Sequence, residues 1–190
     1  MSSGKYKDYC SPVIGYYKIS SEFGWRGNPS GKPPRRARFH GGIDLGSCKD
    51  RTVHAIEDGV VVRVDTPKFV EESRRTNKSR NGYTQGLVKI KHKSGPISTS
   101  SYCHLKENSI VVKKGQKVKK GDSIAVVGNT GYSFGAHLHF VLRNRSGNKI
   151  DPMLLMQDCS DVVSYLKILE TAQLPDKRDN ENRKGKKDNL

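Results

Sequence analysis

Short apolar runs, one of which largely alternates with polar positions, predict β structure from about residue 16 to residue 140. Residues 59–64 contain four valines after a glycine, and residues 86–92 largely alternate apolar and polar side chains. β-Branched residues and a period of two are typical of strands, whose successive side chains point to opposite faces of a sheet. These two runs are the clearest strands, and the sequence predicts a mainly β protein.

Turn signals and a change of period define the remaining elements. Between residues 110 and 128, short apolar pieces alternate with two Lys-Gly turns, which predicts a stack of short strands. Residues 143–149 predict a hairpin turn closing on residues 150–152. Pro152 can open a helix, and apolar residues at near-helical spacing predict one or two helices up to about residue 172. The charged residues 71–81 predict an exposed loop.

Composition divides the chain into four parts around one core, which 190 residues are enough to bury. We expect an N-terminal extension over residues 1–15, a compact β domain over 16–152 and a C-terminal helical segment over 153–174. Residues 175–190 are nearly free of apolar side chains and predict a disordered charged tail.

The net charge of +16 predicts that the surface attracts anions. Nucleic acid, anionic envelope polymers and lipid head groups are all candidates, and a solvated basic surface without a dedicated partner is the plainest interpretation. A single-strand nucleic-acid binder interleaves aromatic residues with its basic runs, and residues 113–120 contain none. We therefore expect no specific nucleic-acid partner.

Targeting and redox signals are few. No stretch approaches the roughly 18–20 apolar residues that cross a bilayer, and residues 1–8 lack the apolar core of a signal peptide. We therefore expect a protein made in the cytoplasm that has no transmembrane segment. The four cysteines include no C-x-x-C pair, and free or buried thiols are the expectation for them.

Histidines with strand spacing carry the chemistry. His137 and His139 are separated by one apolar residue, so both rings project from one face of a strand. His40 and Asp44 share a face in the same way if their segment is extended, and the two glycines between them argue against a helix. Two imidazoles and one carboxylate suit zinc and leave a fourth coordination position open, as in catalytic zinc sites. The pattern indicates a hydrolase.

Four separated motifs together resemble the lysostaphin and LytM type of zinc endopeptidase, over about residues 20–152. They are Ser21-Glu22-Phe23-Gly24-Trp25-Arg26, His40-Gly41-Gly42-Ile43-Asp44, Tyr102-Cys103-His104-Leu105, and Gly128-Asn129-Thr130-Gly131 with Gly135-Ala136-His137-Leu138-His139-Phe140. The resemblance implies a small antiparallel β-sheet domain that hydrolyses peptide bonds of bacterial peptidoglycan. Matched by motif, His40, Asp44 and His139 would bind zinc, while His104 and His137 would be catalytic.

The expected site of action is the cell wall or periplasm, and the missing signal peptide suggests delivery as a bacteriophage lysis or virion-associated protein. The alternative function is a catalytically silent regulator that uses the same fold to bind a cell-wall hydrolase. Degenerate members of the family lack metal ligands, whereas this chain keeps all of them. We interpret His54 and His92 as structural histidines.

Overall fold

An eight-stranded antiparallel sheet forms the body of the protein. The computed structural model describes residues 11–15, 17–26, 38–72 and 81–156, all within one compact unit that ends at Met156. The sheet order is β1 (Lys18–Ser21), β4 (Ile43–Gly46), β11 (His137–Asn144), β8 (Ile97–Cys103), β7 (Leu87–Lys91), β6 (Gly59–Asp65) and β9 (Lys117–Val118), with β12 (Lys149–Ile150) paired to β11. The predicted mainly β, antiparallel fold is confirmed.

Two smaller sheets accompany the main one. β2 (Gly24–Arg26) pairs with β3 (Arg38–His40), and β5 (Thr52–His54) pairs with β10 (Ser123–Val126), both antiparallel. The helix α1 spans Met153–Met156, and the Asp151 carboxylate accepts a hydrogen bond from the Met153 amide at 2.9 Å. Asp151 thus acts as the N-cap that satisfies an otherwise unpaired amide in the first turn.

The two faces of the main sheet differ in burial. On β11, Leu138, Phe140 and Leu142 are fully buried, whereas the alternate residues His137, His139 and Val141 are half-buried. The buried side continues through neighbouring strands with Val88, Ile90 and Tyr102. We call the opposite side, which carries Asp44, His137 and His139, the open face. Its exposure leaves room for a ligand above a rigid floor.

Most elements predicted within the described ranges are found, and one of them is not. The runs 59–64 and 86–92 correspond to β6 and β7, and the predicted hairpin joins β11 to β12. Gly115 and Gly121 adopt positive φ angles of 89° and 85° in the two Lys-Gly turns. The prediction of a strand at residues 110–112 is wrong, because this piece buries Val112 and makes a backbone hydrogen bond to Ile124 without forming a ladder.

Several predictions fall partly or wholly outside the described residues. These are most of the loop at 71–81, the helical segment beyond Met156 and the charged tail at 175–190, and the domain boundaries stay predictions.

Cys48 and Cys103 are free thiols, and burial raises the pKa of Cys103 to about 12. Among the described residues, no helix is both long and apolar enough to cross a bilayer.

His92 lies in a buried polar network on the core side of the sheet. Its Nδ1 donates to the Asp58 carbonyl at 3.0 Å, and its Nε2 lies 2.9 Å from the Ser100 hydroxyl. Ser100 in turn is hydrogen-bonded to the Tyr102 hydroxyl, which accepts from the Ile56 amide. Satisfied buried polar groups of this kind fix packing. His54 is held by one such bond, from its Nδ1 to the Gly121 carbonyl at 2.9 Å, which fits the structural interpretation of both histidines.

Folding stability should fall below about pH 6.5 partly through His92. Burial lowers the pKa of His92 from its ordinary value, and the hydrogen bond to Asp58 opposes this only in part. The unfolded chain therefore binds the proton first, so stability is lost as pH falls towards the folded pKa. Urea unfolding at several pH values from about 7.5 to about 5 measures the slope of the free energy of unfolding against pH. The slope should be shallower in His92→Gln, and equal slopes would contradict this assignment.

Candidate active site

Strand pairing brings His139 beside Asp44. β11 lies between β4 and β8, and its register places His139 opposite Asp44 on one side and opposite Cys103 on the other. Directly opposed residues of antiparallel strands share a face, so the imidazole and the carboxylate both project onto the open face. His139 Nδ1 lies 2.7 Å from Asp44 Oδ1. His137, two residues earlier, projects from the same face, as the sequence predicts.

His40 reaches the same point from another sheet. Residues 40–44 are not one extended segment: β3 ends at His40, and β4 begins at Ile43. Gly41 and Gly42 make the connection, and a Cβ at Gly42 would collide with the carbonyl oxygen of Phe140. The glycine permits a close backbone approach to β11, which brings His40 over the strand that carries His139. An extended segment would have placed His40 and Asp44 on one face of a strand. The structure instead has a turn between two sheets, and this turn brings the two side chains together.

Three atoms from these residues form a compact donor set. His40 Nε2 lies 3.0 Å from His139 Nδ1 and 3.2 Å from Asp44 Oδ1. Donor atoms around a tetrahedral zinc, with bonds of about 2.0–2.1 Å, are separated by about 3.3 Å. The observed spacings of 2.7, 3.0 and 3.2 Å are slightly tighter, and small side-chain movements would fit the ion. The three residues could therefore hold a metal ion.

Electrostatics favour the ionised carboxylate at the centre of the set. Burial raises the pKa of Asp44, but hydrogen bonds and charge from His139 and His40 outweigh it and hold that pKa well below its ordinary value. An ionised carboxylate is the form that binds a cation. Asp44 therefore supplies the negative charge that partly offsets a divalent ion, and each histidine would coordinate the ion through a ring nitrogen.

His104 is held at the rim by an unusual backbone conformation. It follows β8 directly and has a φ of 63°, in the left-handed region that residues with a Cβ rarely adopt. Its Nδ1 lies 2.7 Å from the Thr130 carbonyl, and the Thr130 hydroxyl is itself bonded to the Leu105 carbonyl and the Gly86 amide. Burial lowers the pKa of His104 to about 4, although the bond to Thr130 opposes the shift. The ring is therefore neutral at pH 7.

His137 completes the group of rings. Its ring centroid lies 4.7 Å from that of His104, and its Nε2 lies 3.7 Å from Asp44 Oδ1. Its Nδ1 is 2.8 Å from the Gly135 carbonyl, and the buried Ser133 hydroxyl bonds the same carbonyl. The same hydroxyl oxygen lies 2.6 Å from Asn129 Oδ1, so its single hydrogen is shared between these two acceptors. The loop that precedes β11 thus fixes the orientation of His137.

A shared anchoring pattern was not visible in the sequence. His40, His104 and His137 each place Nδ1 against a backbone carbonyl, at Glu22, Thr130 and Gly135 respectively. A carbonyl only accepts, so Nδ1 carries the hydrogen and Nε2 of each neutral ring carries the lone pair. Such partners fix tautomer and orientation in metal sites. Every residue has a backbone carbonyl, so the sequence alone does not show which carbonyls contact these histidines. Only the fold identifies the three carbonyl partners.

The Gly42→Ala substitution tests the close approach between the ligand turn and β11. The new Cβ would meet the Phe140 backbone, which cannot move as a side-chain end can. We expect a loss of about 1–3 kcal/mol in the free energy of unfolding, measured with urea. Gly135→Ala is the matched control, since a Cβ there meets nothing within 4 Å. Equal stability of the two variants would contradict the account of this turn.

Antiparallel strands that present a three-ligand donor set define a candidate metal-dependent enzyme of the mainly β class. The model of Peptidase family M23 matches residues 38–152. The chain belongs to Peptidase family M23, which confirms the resemblance to lysostaphin and LytM.

Similar proteins agree with this assignment. The chain is 34% identical to peptidoglycan DD-endopeptidase ShyB of Vibrio cholerae over 134 residues, covering 68% of this chain and 26% of ShyB. A crystal structure of a zinc-containing peptidase from Vibrio cholerae matches with a TM-score of 0.56 and 32% identity, over 75% of this chain and 38% of that one. The catalytic domain of lysostaphin from Staphylococcus simulans matches with a TM-score of 0.52 and 25% identity, over 75% and 93%. The chain thus spans about a quarter of the length of ShyB.

Proposed function

We propose that the chain is a zinc-dependent endopeptidase that hydrolyses peptide bonds of bacterial peptidoglycan. The observation that carries the proposal is the meeting of His40 Nε2, Asp44 Oδ1 and His139 Nδ1 within 3.2 Å of one another. Membership of Peptidase family M23 supports peptidase activity, and the name of ShyB, a peptidoglycan DD-endopeptidase, supports the substrate.

The donor set suits the chemistry of peptide hydrolysis. Bound zinc would supply Lewis acidity, which polarises the scissile carbonyl and makes water a better nucleophile at neutral pH. His40, Asp44 and His139 would be its ligands, and their placement on paired strands gives them a rigid base. His40 is further oriented by the Glu22 carbonyl, 2.6 Å from its Nδ1. Such support keeps a ligand lone pair directed into the site.

His104 and His137 would manage the proton. Because the His104 ring is neutral at pH 7 and its Nδ1–H is bound to Thr130, its Nε2 can accept a proton. Water adds to the carbonyl carbon, its proton passes to a histidine, and that proton is delivered to the amine as the C–N bond breaks. Once its Nε2 has taken that proton, His137 would donate a hydrogen bond to the developing oxyanion. The five residues thus divide ligand and proton-transfer roles.

Incubation of the zinc-loaded protein with defined peptidoglycans tests this function. Mass analysis of the released fragments should show peptide products that identify the bond, and a chelator should abolish their release. A protein that holds stoichiometric zinc yet releases nothing from any wall type would contradict the proposal and favour the silent regulator. Action at the cell wall or periplasm follows from the proposed substrate, whereas phage or virion delivery stays a prediction.

A further inference from the structure

The open face continues beyond the donor set as a basic surface. In the register of the sheet, the row that contains Asp44 and His139 is followed by a row formed by Val141 on β11, Ser101 on β8 and Lys89 on β7. Directly opposed residues share a face, so Lys89 projects on the same side as the candidate site. The sheet that holds Asp44 and His139 thus also carries a cation on β7, two strands away from His139.

Lys89 is placed to receive an external anion. Its side chain is half-buried, and no carboxylate among the residues that the structure describes lies within ion-pair distance of it. The neighbouring Arg63, opposite Lys89 on β6, is paired with Asp65 at 2.6 Å. The carboxylate of Asp65 is therefore engaged by Arg63 while Lys89 keeps its charge uncompensated.

The charge balance of this surface favours an acidic ligand. Arg63 lies in the row of Lys89, and the next row carries Lys91 and Arg143. The acidic residues of the open face, Asp44 and Asp65, belong instead to the row of the donor set. Complementary potential of this kind selects and orients a charged ligand. A peptide that bears free carboxylates matches this surface.

The spacing suits a ligand that also reaches the donor set. Lys89 is two strands and two residues from His139, which places their Cα atoms about 12 Å apart for ordinary strand spacing and rise. An extended peptide covers that distance in about three to four residues. One substrate can therefore present its scissile bond at the donor set and a carboxylate at Lys89.

We propose that Lys89 is a specificity residue that binds a free carboxylate of the acidic peptide substrate. This carboxylate lies no more than about four residues from the scissile bond. The inference rests on the proposed function for the identity of the ligand, a peptidoglycan peptide, whose branches and ends carry carboxylates. Lys89 binds and positions the substrate and takes no part in bond cleavage. Its effect should therefore appear in affinity and fall with added salt.

The experiment compares two fluorescent probes: a cross-linked stem-peptide dimer with free carboxylates and the same dimer with those carboxylates amidated. Binding is measured by fluorescence anisotropy in the His104→Ala background, so that the probe is not consumed. We expect the free-carboxylate dimer to bind about fivefold more tightly than the amidated dimer. Lys89→Gln should remove this preference, and the matched control Lys114→Gln, at an exposed Lys-Gly turn, should keep it.

A preference that survives in Lys89→Gln, or no binding of either dimer, would overturn the inference. Cleavage by the zinc-loaded protein with His104 intact is measured separately. If binding depends on Lys89 but no peptide is cut, the inference stands and the proposed function fails. If peptides are cut without a carboxylate preference, the proposed function stands and the inference fails.

Discussion

Asp44→Asn should leave the protein folded but with zinc affinity lowered by more than about 100-fold, and without hydrolytic activity. Asp44 Oδ1 lies 2.7 Å from His139 Nδ1 and 3.2 Å from His40 Nε2, so it is the one anionic member of the donor set. Asparagine keeps the shape but removes the charge that a divalent ion requires. Metal analysis after dialysis, together with the mass assay for fragments, measures both effects.

Asp50→Asn is the matched control for this substitution. Asp50 is an exposed carboxylate that accepts a hydrogen bond from the Thr52 amide, outside the donor set. Its replacement should leave zinc content and activity close to those of the unmodified protein. Retention of full zinc by Asp44→Asn would show that the ion binds to other ligands, and this result would contradict the proposed donor set.

His104→Ala should lower kcat by about 10²–10⁴-fold while zinc content stays unchanged. The ring of His104 lies 4.7 Å from that of His137 and 6.0 Å from that of His139, measured between centroids. It is therefore beside the donor set without belonging to it. Removing the ring deletes a proton acceptor and leaves the ligands in place.

His54→Gln serves as the control for a buried histidine outside the site. His54 lies on β5 and bonds the Gly121 carbonyl, so its loss should affect stability but leave kcat nearly unchanged. Single-turnover kinetics and metal analysis on both variants separate the roles. Loss of zinc in His104→Ala would assign this residue to the ligand set and contradict its proposed role in proton transfer.

Period-two alternation made much of the site predictable. The sequence predicts His137 and His139 on one face because a single apolar residue, Leu138, separates them, and the structure buries Leu138 completely. The strand β7 is predictable for the same reason, whereas β6 is predictable from its run of β-branched valines after Gly59. Local patterns specify local structure when one face is buried.

The approach of His40 to Asp44 could not be derived from the spacing alone. The spacing allows an extended segment, in which positions 40 and 44 share a face about 13 Å apart, as well as a turn that brings them together. The structure has the turn, where Gly42 closely approaches the Phe140 backbone. The left-handed conformation of His104 and its bond to Thr130 are also tertiary. These features depend on residues distant in the chain, whose pairing the sequence does not reveal.

Anomalous scattering at the zinc edge, from crystals of the protein loaded with one equivalent of zinc, tests the central claim most directly. The claim predicts one strong peak within about 2.0–2.2 Å of His40 Nε2, Asp44 Oδ1 and His139 Nδ1, with His104 and His137 outside the ligand shell. A peak elsewhere, or protein that takes up no zinc, would contradict the account.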